Sequence, residues 1–568
     1  MKPENEVRAK HRRVIFIAVI LTIGALVIVG RLAYYQIWMH AELEEMALEE
    51  REREREVTPE RGNILDSTGH PLAMSVIQWD ISVSPEMVDD PEELADQLAD
   101  LMDLPRDELY AKLTLDAPWV SLARGCAQEM GEAVAGLKAN GIICDPRALR
   151  VYPEGKLAAH IVGIVSDGGV GFYGVEGYYN QWLMGTQGKR AVEQTPAGKE
   201  IPLAPQAQLA ATAGVNLILT VDRNVQMIAA QELEQAVEEF QAQSGTVLIM
   251  NPKTGAILAI ANYPSYDPNL FPEVDGELLD DASLSKLWEP GSIFKVITWA
   301  AGLDSGTISP GTTVYDSGAR EVGGRVIQNW DRMGRGWVTM TDGLALSLNT
   351  VAAFISTSVG KDTFYTYVQR FGFGELTKVD LASEGPGIVR QPGDSNWFQS
   401  DLGTNAFGQG IAVTPLQMLS AVSAVANHGL LMTPYIVKQF VTSEKVVSVE
   451  PMAVRQAITE ETAETLTEML TEVVSREATK AQVAGYRIAG KTGTAQVPTA
   501  YGYDPTATIA SFVGFAPADD PQFAVLVKLD KPQASPWANH TAAPTFRAIV
   551  ERLLVYLQIP PDEIRLAQ

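Results

Sequence analysis

The chain is short of cysteine, of histidine and of positive charge, and each shortage excludes a class of function. Cys126 and Cys144 are the only cysteines in 568 residues, too few for a disulfide framework. A single bridge between them and two small buried hydrophobes are both open readings. The 6 histidines are scattered; with no HExxH and no Cys/His cluster, no metal site is expected. Lys and Arg total 44 against 70 Asp and Glu, a formal net charge of -26. A chain so acidic is repelled by phosphate backbones, so nucleic-acid binding is not expected. The glycine-rich stretch 168–185, GGVGFYGVEGYYNQWLMG, does not follow a strand and open a helix, which argues against a dinucleotide cradle. No cofactor is expected.

Long apolar runs are scarce too, with one exception. Lys2, Arg8, Lys10, Arg12 and Arg13 precede an apolar run from Val14 to Gly30, extended to Trp38 with Tyr34, Tyr35 and Trp38 at its far edge. That length spans a bilayer, and aromatics mark such an edge, where Arg31 can snorkel. The run is long for a signal-peptide core and no small-residue cleavage site closes it, so it reads as a retained anchor. Its basic flank predicts a cytoplasmic N-terminus, with everything after residue 40 outside the cytoplasm.

What remains is a normally folded composition, 46% hydrophobic and 20% charged, long enough for two or three domains. The expected organisation is a cytoplasmic tail (1–13), the transmembrane anchor (14–38), a charged juxtamembrane helix (39–57), a Gly/Pro-punctuated region (58–213) and a C-terminal domain (214–568). The helix rests on the Glu/Arg density of 41–57 and on i,i+4 pairs such as Glu49 and Arg53. RGNILDSTGHPLA (61–73) reads as strand, turn, strand, and 202–214 as a linker. Further on, NLILTVD reads as a strand, Arg223 to Phe240 as a helix, and 245–262 as a hairpin around Pro and Gly. YRIAGKTGTAQ, ATIASFVGFAP and QFAVLVKL give three more strands, before a last helix from Thr545 to Leu557. Strands at both ends with helices between imply an α+β domain whose antiparallel sheet is built from both termini.

Three short motifs carry the chemistry. Ser292-Ile-Phe-Lys295 follows a Pro290-Gly291 break and opens a long apolar helix. Lys295, three residues on, would project beside the Ser292 hydroxyl, and the free N–H groups of a helix start favour developing negative charge. A nucleophilic serine needs such a base and such a pocket. The pattern recurs at Ser283/Lys286 and Ser358/Lys361. Ser283 lies in a polar run without a helix start, and Ser358 reads as core packing, so Ser292 is selected. Ser347-Leu-Asn349 can face a cleft from a turn, although alone it reads as a helix-capping pair. Lys491-Thr492-Gly493-Thr494 follows a strand-like run that would set Lys491 and Gly493 on one face and Thr492 and Thr494 on the other, with Gly493 allowing close approach of a ligand. Lys253-Thr-Gly255 has the same letters but reads as an ordinary turn.

SxxK, SxN and KTG in this order resemble the signature of penicillin-binding proteins and serine β-lactamases. GFYGVEGYY, LTVDRNVQ, NPKTGAILAIANYPSYDPN, FGQGIAVTPLQM and SFVGFAPADDP extend the resemblance to class B penicillin-binding proteins over nearly the whole chain. Asn251, where an Asp is usual, and Asn539-His540, where a Gly pair is frequent, depart from the pattern. The resemblance implies an α+β penicillin-binding transpeptidase fold: an antiparallel sheet flanked by helices plus an all-helical subdomain, preceded by a mixed α/β, non-catalytic pedestal at 58–213. It implies a peptidoglycan D,D-transpeptidase acting on the D-Ala-D-Ala end of stem peptides and acylated by β-lactams. Ser292 is then the nucleophile, and Lys295 the base, its pKa depressed by burial and by Lys491. Ser347 becomes a proton relay and Asn349 an orienting group. Lys491, Thr492 and Thr494 would hold the substrate carboxylate, and the N–H groups of Ser292 and Thr494 would form the oxyanion hole. The implied partner is a SEDS-type membrane glycosyltransferase with other divisome proteins. Glu289-Pro290-Gly291 and ATIASFVGFAP favour the division and sporulation branch over elongation. A D,D-carboxypeptidase or β-lactamase would share the acylation chemistry, but anchor and pedestal argue against a β-lactamase. A 13-residue tail leaves no room for the signalling domain of a β-lactam sensor.

Overall fold

The computed structural model describes residues 3–43, 46, 52–57, 59–193, 208–499 and 502–567. They fall into two compact units.

The smaller unit holds 1–60 and 185–213. Its helix runs from Pro3 to Ala33 and continues as a π-helical turn, Tyr34–Trp38. Within the 29-residue stretch Lys10–Trp38 an 18-residue window has mean hydropathy 2.6 and contains no buried residue. That is the length and exposure of a bilayer-spanning helix. The expected juxtamembrane helix is corrected in part. Residues 40–43 are helical, but Glu52–Val57 is a strand, antiparallel to Gly188–Glu193, which pairs in turn with Gln208–Leu209. EREREV alternates with the period of a strand as well as offering i,i+4 pairs, and its partner lies more than 130 residues away, beyond any local reading. The linker assigned to 202–214 holds one strand of this sheet at Gln208–Leu209; its residues 202–207 lie outside the described residues.

The larger unit holds 61–184 and 214–568. The strand-turn-strand expected at 61–73 is present: Ile64–Leu65 returns as Pro71–Val83. Asp66 closes the turn by accepting the N–H groups of Thr68 and His70, both at 2.8 Å. Pro71–Val83 is flanked by Val120–Cys126 and Ile142–Val151. The two cysteines lie one on each flanking strand, and both thiols are free. Ile64–Leu65 also pairs in parallel with Asn216–Leu219, which pairs with Val437–Val441. One sheet therefore continues from the region before residue 184 into strands that follow it, and the two halves share backbone hydrogen bonds. Beneath it Glu176, fully buried, accepts from Arg61 and Arg150. Burying three charges is tolerable only because they are paired.

The second sheet positions the chemistry. Ile257–Tyr263, Ser244–Met250, Phe523–Asp530, Gly502–Ala516 and Ala489–Thr499 lie in that order, every pair antiparallel. The hairpin from the start of the domain and the three strands from its end meet at the Ser244–Met250 and Phe523–Asp530 pair, so the sheet is built from both termini as expected. Arg223–Glu239, capped by Asp222, and Ala542–Tyr556 share one core with the sheet. Pro415–Ala426 is buried at every residue and packs on the opposite side; a helix apolar all round belongs inside. Lys295–Asp304, Met340–Ala345, Asn349–Val359, Lys361–Arg370 and Glu460–Arg476 form the helical subdomain. Ala489–Thr499, with the KTGT motif, is the edge strand, so one side of its backbone is free of sheet pairing.

Candidate active site

Ser292 sits where the chain break predicted. Gly291–Phe294 is a single 3-10 turn running directly into Lys295–Asp304. Gly291 has φ +57, a conformation glycine takes without strain. Pro290 and Gly291 thus set the turn, and the buried helix body behind it fixes Ser292 and Lys295 on one face. Lys295 is completely buried. Its Nζ lies 3.2 Å from Ser292 Oγ, 3.1 Å from Ser347 Oγ and 2.8 Å from Asn349 Oδ1, and it also donates to the Ser347 carbonyl.

This constellation can hold Lys295 as a neutral amine. The Ser347 carbonyl and Asn349 Oδ1 can only accept, and each takes one N–H. A neutral amine has two N–H groups and a lone pair. With both hydrogens committed, the lone pair is left for a hydroxyl proton, and the Ser292 and Ser347 hydroxyls are in range. The electrostatics agree: burial first, and then the charge of Lys491, hold Lys295 well below its ordinary value. Lys491, equally buried, is lowered to about 7 by burial, opposed by Glu477. Two neighbouring ammonium groups out of water repel each other, and Lys295 is the one that yields.

Ser347 and Asn349 lie on a turn. Met340–Ala345 ends two residues before Ser347, which has φ +54, and Asn349 starts the next helix. The helix-capping reading of this pair is therefore wrong. The left-handed residue breaks the helical run and turns both groups toward Lys295, at a strain cost typical of functional sites. Asn349 is oriented by donating from Nδ2 to the Gln328 carbonyl at 3.0 Å.

The KTGT strand alternates as expected, with Lys491 and Gly493 buried and Thr492 and Thr494 partly exposed. At Gly493 the absence of a side chain also serves packing. A Cβ there would lie 2.5 Å from Ser511 Oγ, 2.9 Å from Ile293 Cγ2 and 3.2 Å from the Pro290 carbonyl. The missing side chain makes room for the turn that carries Ser292, which is wedged against the strand. Lys491 Nζ donates to the Thr492 carbonyl at 3.2 Å. Thr494 Oγ1 accepts from the Ala538 N–H at 3.3 Å, leaving its own proton to donate. Ala538 opens the short turn Ala538–His540 that contains Asn539 and His540, so this departure from the family pattern lies one residue from a direct contact with the motif.

The look-alikes separate from the site. Ser283 is fully buried and donates to Asp281 Oδ1 at 2.5 Å, in the short helix Ala282–Ser285 that Asp281 caps; the helix start absent from the sequence reading is supplied by that aspartate. Ser358 is exposed near the end of Asn349–Val359, not packed in the core, because the apolar stripe of that helix turns away before its last turn. Lys253 pairs with Asp520 across a turn that the Asn251 side chain closes by accepting from Lys253 and Thr254 N–H.

Two contributors went unread in the sequence. Glu289 accepts from Gly410 N–H at 3.0 Å and from the Tyr503 hydroxyl at 2.9 Å, pinning the segment before the nucleophile to two loops; burial raises its pKa. Gly408, φ +77, lies so close to Gly291 that a Cβ would meet its carbonyl at 2.4 Å. The glycine pair in FGQG was the available signal, but its partner is remote in sequence.

Residues 245–551 match the penicillin binding protein transpeptidase domain and 56–219 the penicillin-binding protein dimerisation domain. Stage V sporulation protein D of Bacillus subtilis is 33% identical over 97% of this chain and 86% of its own length. Peptidoglycan D,D-transpeptidase FtsI of Escherichia coli is 29% identical over 90% of this chain and 86% of its own. The crystal structure of penicillin binding protein 3 from Mycobacterium tuberculosis, complexed with aztreonam, superposes with a TM-score of 0.70 at 25% identity, covering 89% of this chain and 98% of that one. With both domains matched and a relative this similar along nearly its whole length, the chain belongs to the penicillin-binding protein transpeptidase family.

Proposed function

We propose that the protein is a serine D,D-transpeptidase that cross-links peptidoglycan stem peptides in septal or sporulation wall synthesis and is acylated by β-lactams. The observation that carries this is Lys295 Nζ, buried 3.2 Å from Ser292 Oγ and held there by the Ser347 carbonyl and Asn349 Oδ1. Neutral Lys295 takes the Ser292 proton as Oγ attacks the carbonyl of the penultimate D-Ala. The N–H groups of Ser292 and Thr494 receive the oxyanion. The peptide bond breaks, and a proton passed through the Ser347 hydroxyl leaves with the terminal D-Ala amine. An amine of a neighbouring stem then attacks the ester; the new amide forms, Ser292 Oγ departs, and the amine's proton returns to it through Lys295. Lys491, Thr492 and Thr494 hold the substrate's terminal carboxylate, and Asn349 fixes Lys295 and the substrate amide. A β-lactam opens on Ser292 with its leaving nitrogen still tethered, so the ester persists.

The apolar helix anchors the chain to the membrane. The basic residues before it support an N-terminus inside and a catalytic unit outside. The domain reading that goes with this is a non-catalytic pedestal at 58–213 ahead of a transpeptidase domain at 214–568, in keeping with the two family matches. Two relatives named for sporulation and for FtsI support the division and sporulation branch. A SEDS-type glycosyltransferase meeting anchor and pedestal fits the same resemblance. The test is a fluorescent penicillin. Wild type is expected to gain one covalent adduct and Ser292→Ala none; equal labelling of a folded Ser292→Ala protein would reject the assignment.

A further inference from the structure

Residues 313–339, between the nucleophile and the Ser347 turn, form two small β-ribbons. Thr313–Asp316 pairs with Gly336–Thr339, and Ala319–Val322 with Arg325–Gln328. On the first ribbon Val314 and Val338 are buried, while Tyr315 and Trp337, directly opposite each other in register, face outward. Their rings meet edge to face at 5.8 Å, yet Tyr315 is 57% and Trp337 73% exposed. Half of an antiparallel ribbon's residues must face solvent, and threonine or a charge would serve there at no cost; two large aromatics side by side mark a surface that is used.

The ribbons are joined to the catalytic cleft at two points. The Gln328 carbonyl, at the end of the second ribbon, holds Asn349. Trp330, two residues on, lies edge to face with Trp537 at 5.1 Å, and Trp537 precedes the Ala538 whose N–H binds Thr494. The ribbons therefore adjoin the segments that hold Asn349 and Thr494. Local charge differs from that of the whole chain. In a chain of net charge -26, residues 313–339 carry four arginines, Arg320, Arg325, Arg332 and Arg335, against three carboxylates, Asp316, Glu321 and Asp331. Of these, Asp316 is buried and Asp331 and Arg335 are paired with each other, which leaves Arg325 and Arg332 exposed against one exposed carboxylate, Glu321.

We infer that this ribbon surface is a saccharide-binding site that seats the glycan strand bearing the stem peptides, with Trp337 and Tyr315 as its aromatic floor. A pyranose ring shows one face of C–H groups that the electron-rich face of an aromatic attracts, and stem peptides add carboxylates that suit a local arginine excess. The inference rests on the transpeptidase reading but is tested apart from it.

The full chain in detergent micelles is titrated with labelled, uncross-linked peptidoglycan strands, with the same strands stripped of peptide, and with free stem pentapeptide. In the Tyr315→Ala/Trp337→Ala variant, affinity for both kinds of strand is expected to fall about tenfold. Acylation by fluorescent penicillin and turnover of the free pentapeptide stay at wild-type values, and Trp337→Phe, which keeps an aromatic face, retains most of the affinity. Unchanged strand binding by the double variant overturns the inference, as does a loss seen only with peptide-bearing strands. If the double variant fails to acylate penicillin, Trp337→Lys, at a position open to solvent, decides by the same readings. Failure of the wild type itself to acylate would instead reject the transpeptidase reading.

Discussion

Replacing Gly493 with alanine measures how tightly the nucleophile's turn is wedged against the KTGT strand. The backbone there is ordinary strand, so alanine brings no conformational penalty of its own and the effect comes from contact alone. The new methyl would meet Ser511 Oγ at 2.5 Å, Ile293 Cγ2 at 2.9 Å and the Pro290 carbonyl at 3.2 Å. The Ser511 hydroxyl can rotate away. Ile293 is completely buried and the Pro290 oxygen is main chain, so neither yields without moving the turn. Carbon atoms rest at about 3.5–4.0 Å, so strand and turn must separate by roughly 0.6–1 Å. Overpacking of this size costs about 1–3 kcal/mol, which lowers the melting temperature by several degrees. The rate responds more, because a misplacement of about 1 Å costs roughly 100-fold. The assay is the second-order rate of acylation by fluorescent penicillin, beside a thermal melt. Gly276→Ala, where nothing lies within 4 Å of the added atom, should match wild type in both. A folded Gly493→Ala protein acylating at the wild-type rate would refute the wedge.

Other expectations follow from the same contacts. Because Lys491 titrates near 7 and only its cation attracts a carboxylate, the acylation rate for carboxylate-bearing substrates at low concentration should fall as pH rises through that value. Lys491→Arg should lose that limb up to about pH 9, since a guanidinium stays charged; an identical alkaline limb in the variant would assign the titration elsewhere. Lys295→Ala should lose acylation by at least about 100-fold while its melt shows a folded chain, and a retained rate would exclude it as the base. Ser283→Ala should acylate like wild type although it melts earlier, by the equivalent of about 1 kcal/mol for a lost buried hydrogen bond. Lys253→Ala, at an exposed ion pair, should change neither reading.

The catalytic sheet was legible because its strands are long, apolar and bounded by turn residues, and because a buried strand needs nothing from afar to declare its period. Ser292 and Lys295 were legible for a related reason: three residues apart at a helix start, their proximity is local. Ser347 and Asn349 were not, because the left-handed residue that makes a turn of them is imposed by packing against the Gln328 segment and the nucleophile helix. The crowding at Gly493 was not legible for the same cause, since Ile293 and Pro290 lie some 200 residues away. Glu289 and Gly408 stayed silent because each acts on a loop that only folding brings near.

By itself the sequence determined the apolar helix, most of the strands and helices, and the pairing of Ser292 with Lys295, since hydropathy, chain breaks and short spacings are local properties. Only the tertiary structure decided that 52–57 is a strand, that the region before 184 shares a sheet with strands that follow it, and that Lys295 is buried among Ser292, Ser347 and Asn349. Those depend on which remote groups take up hydrogen bonds and exclude water, and nothing local to the chain specifies them.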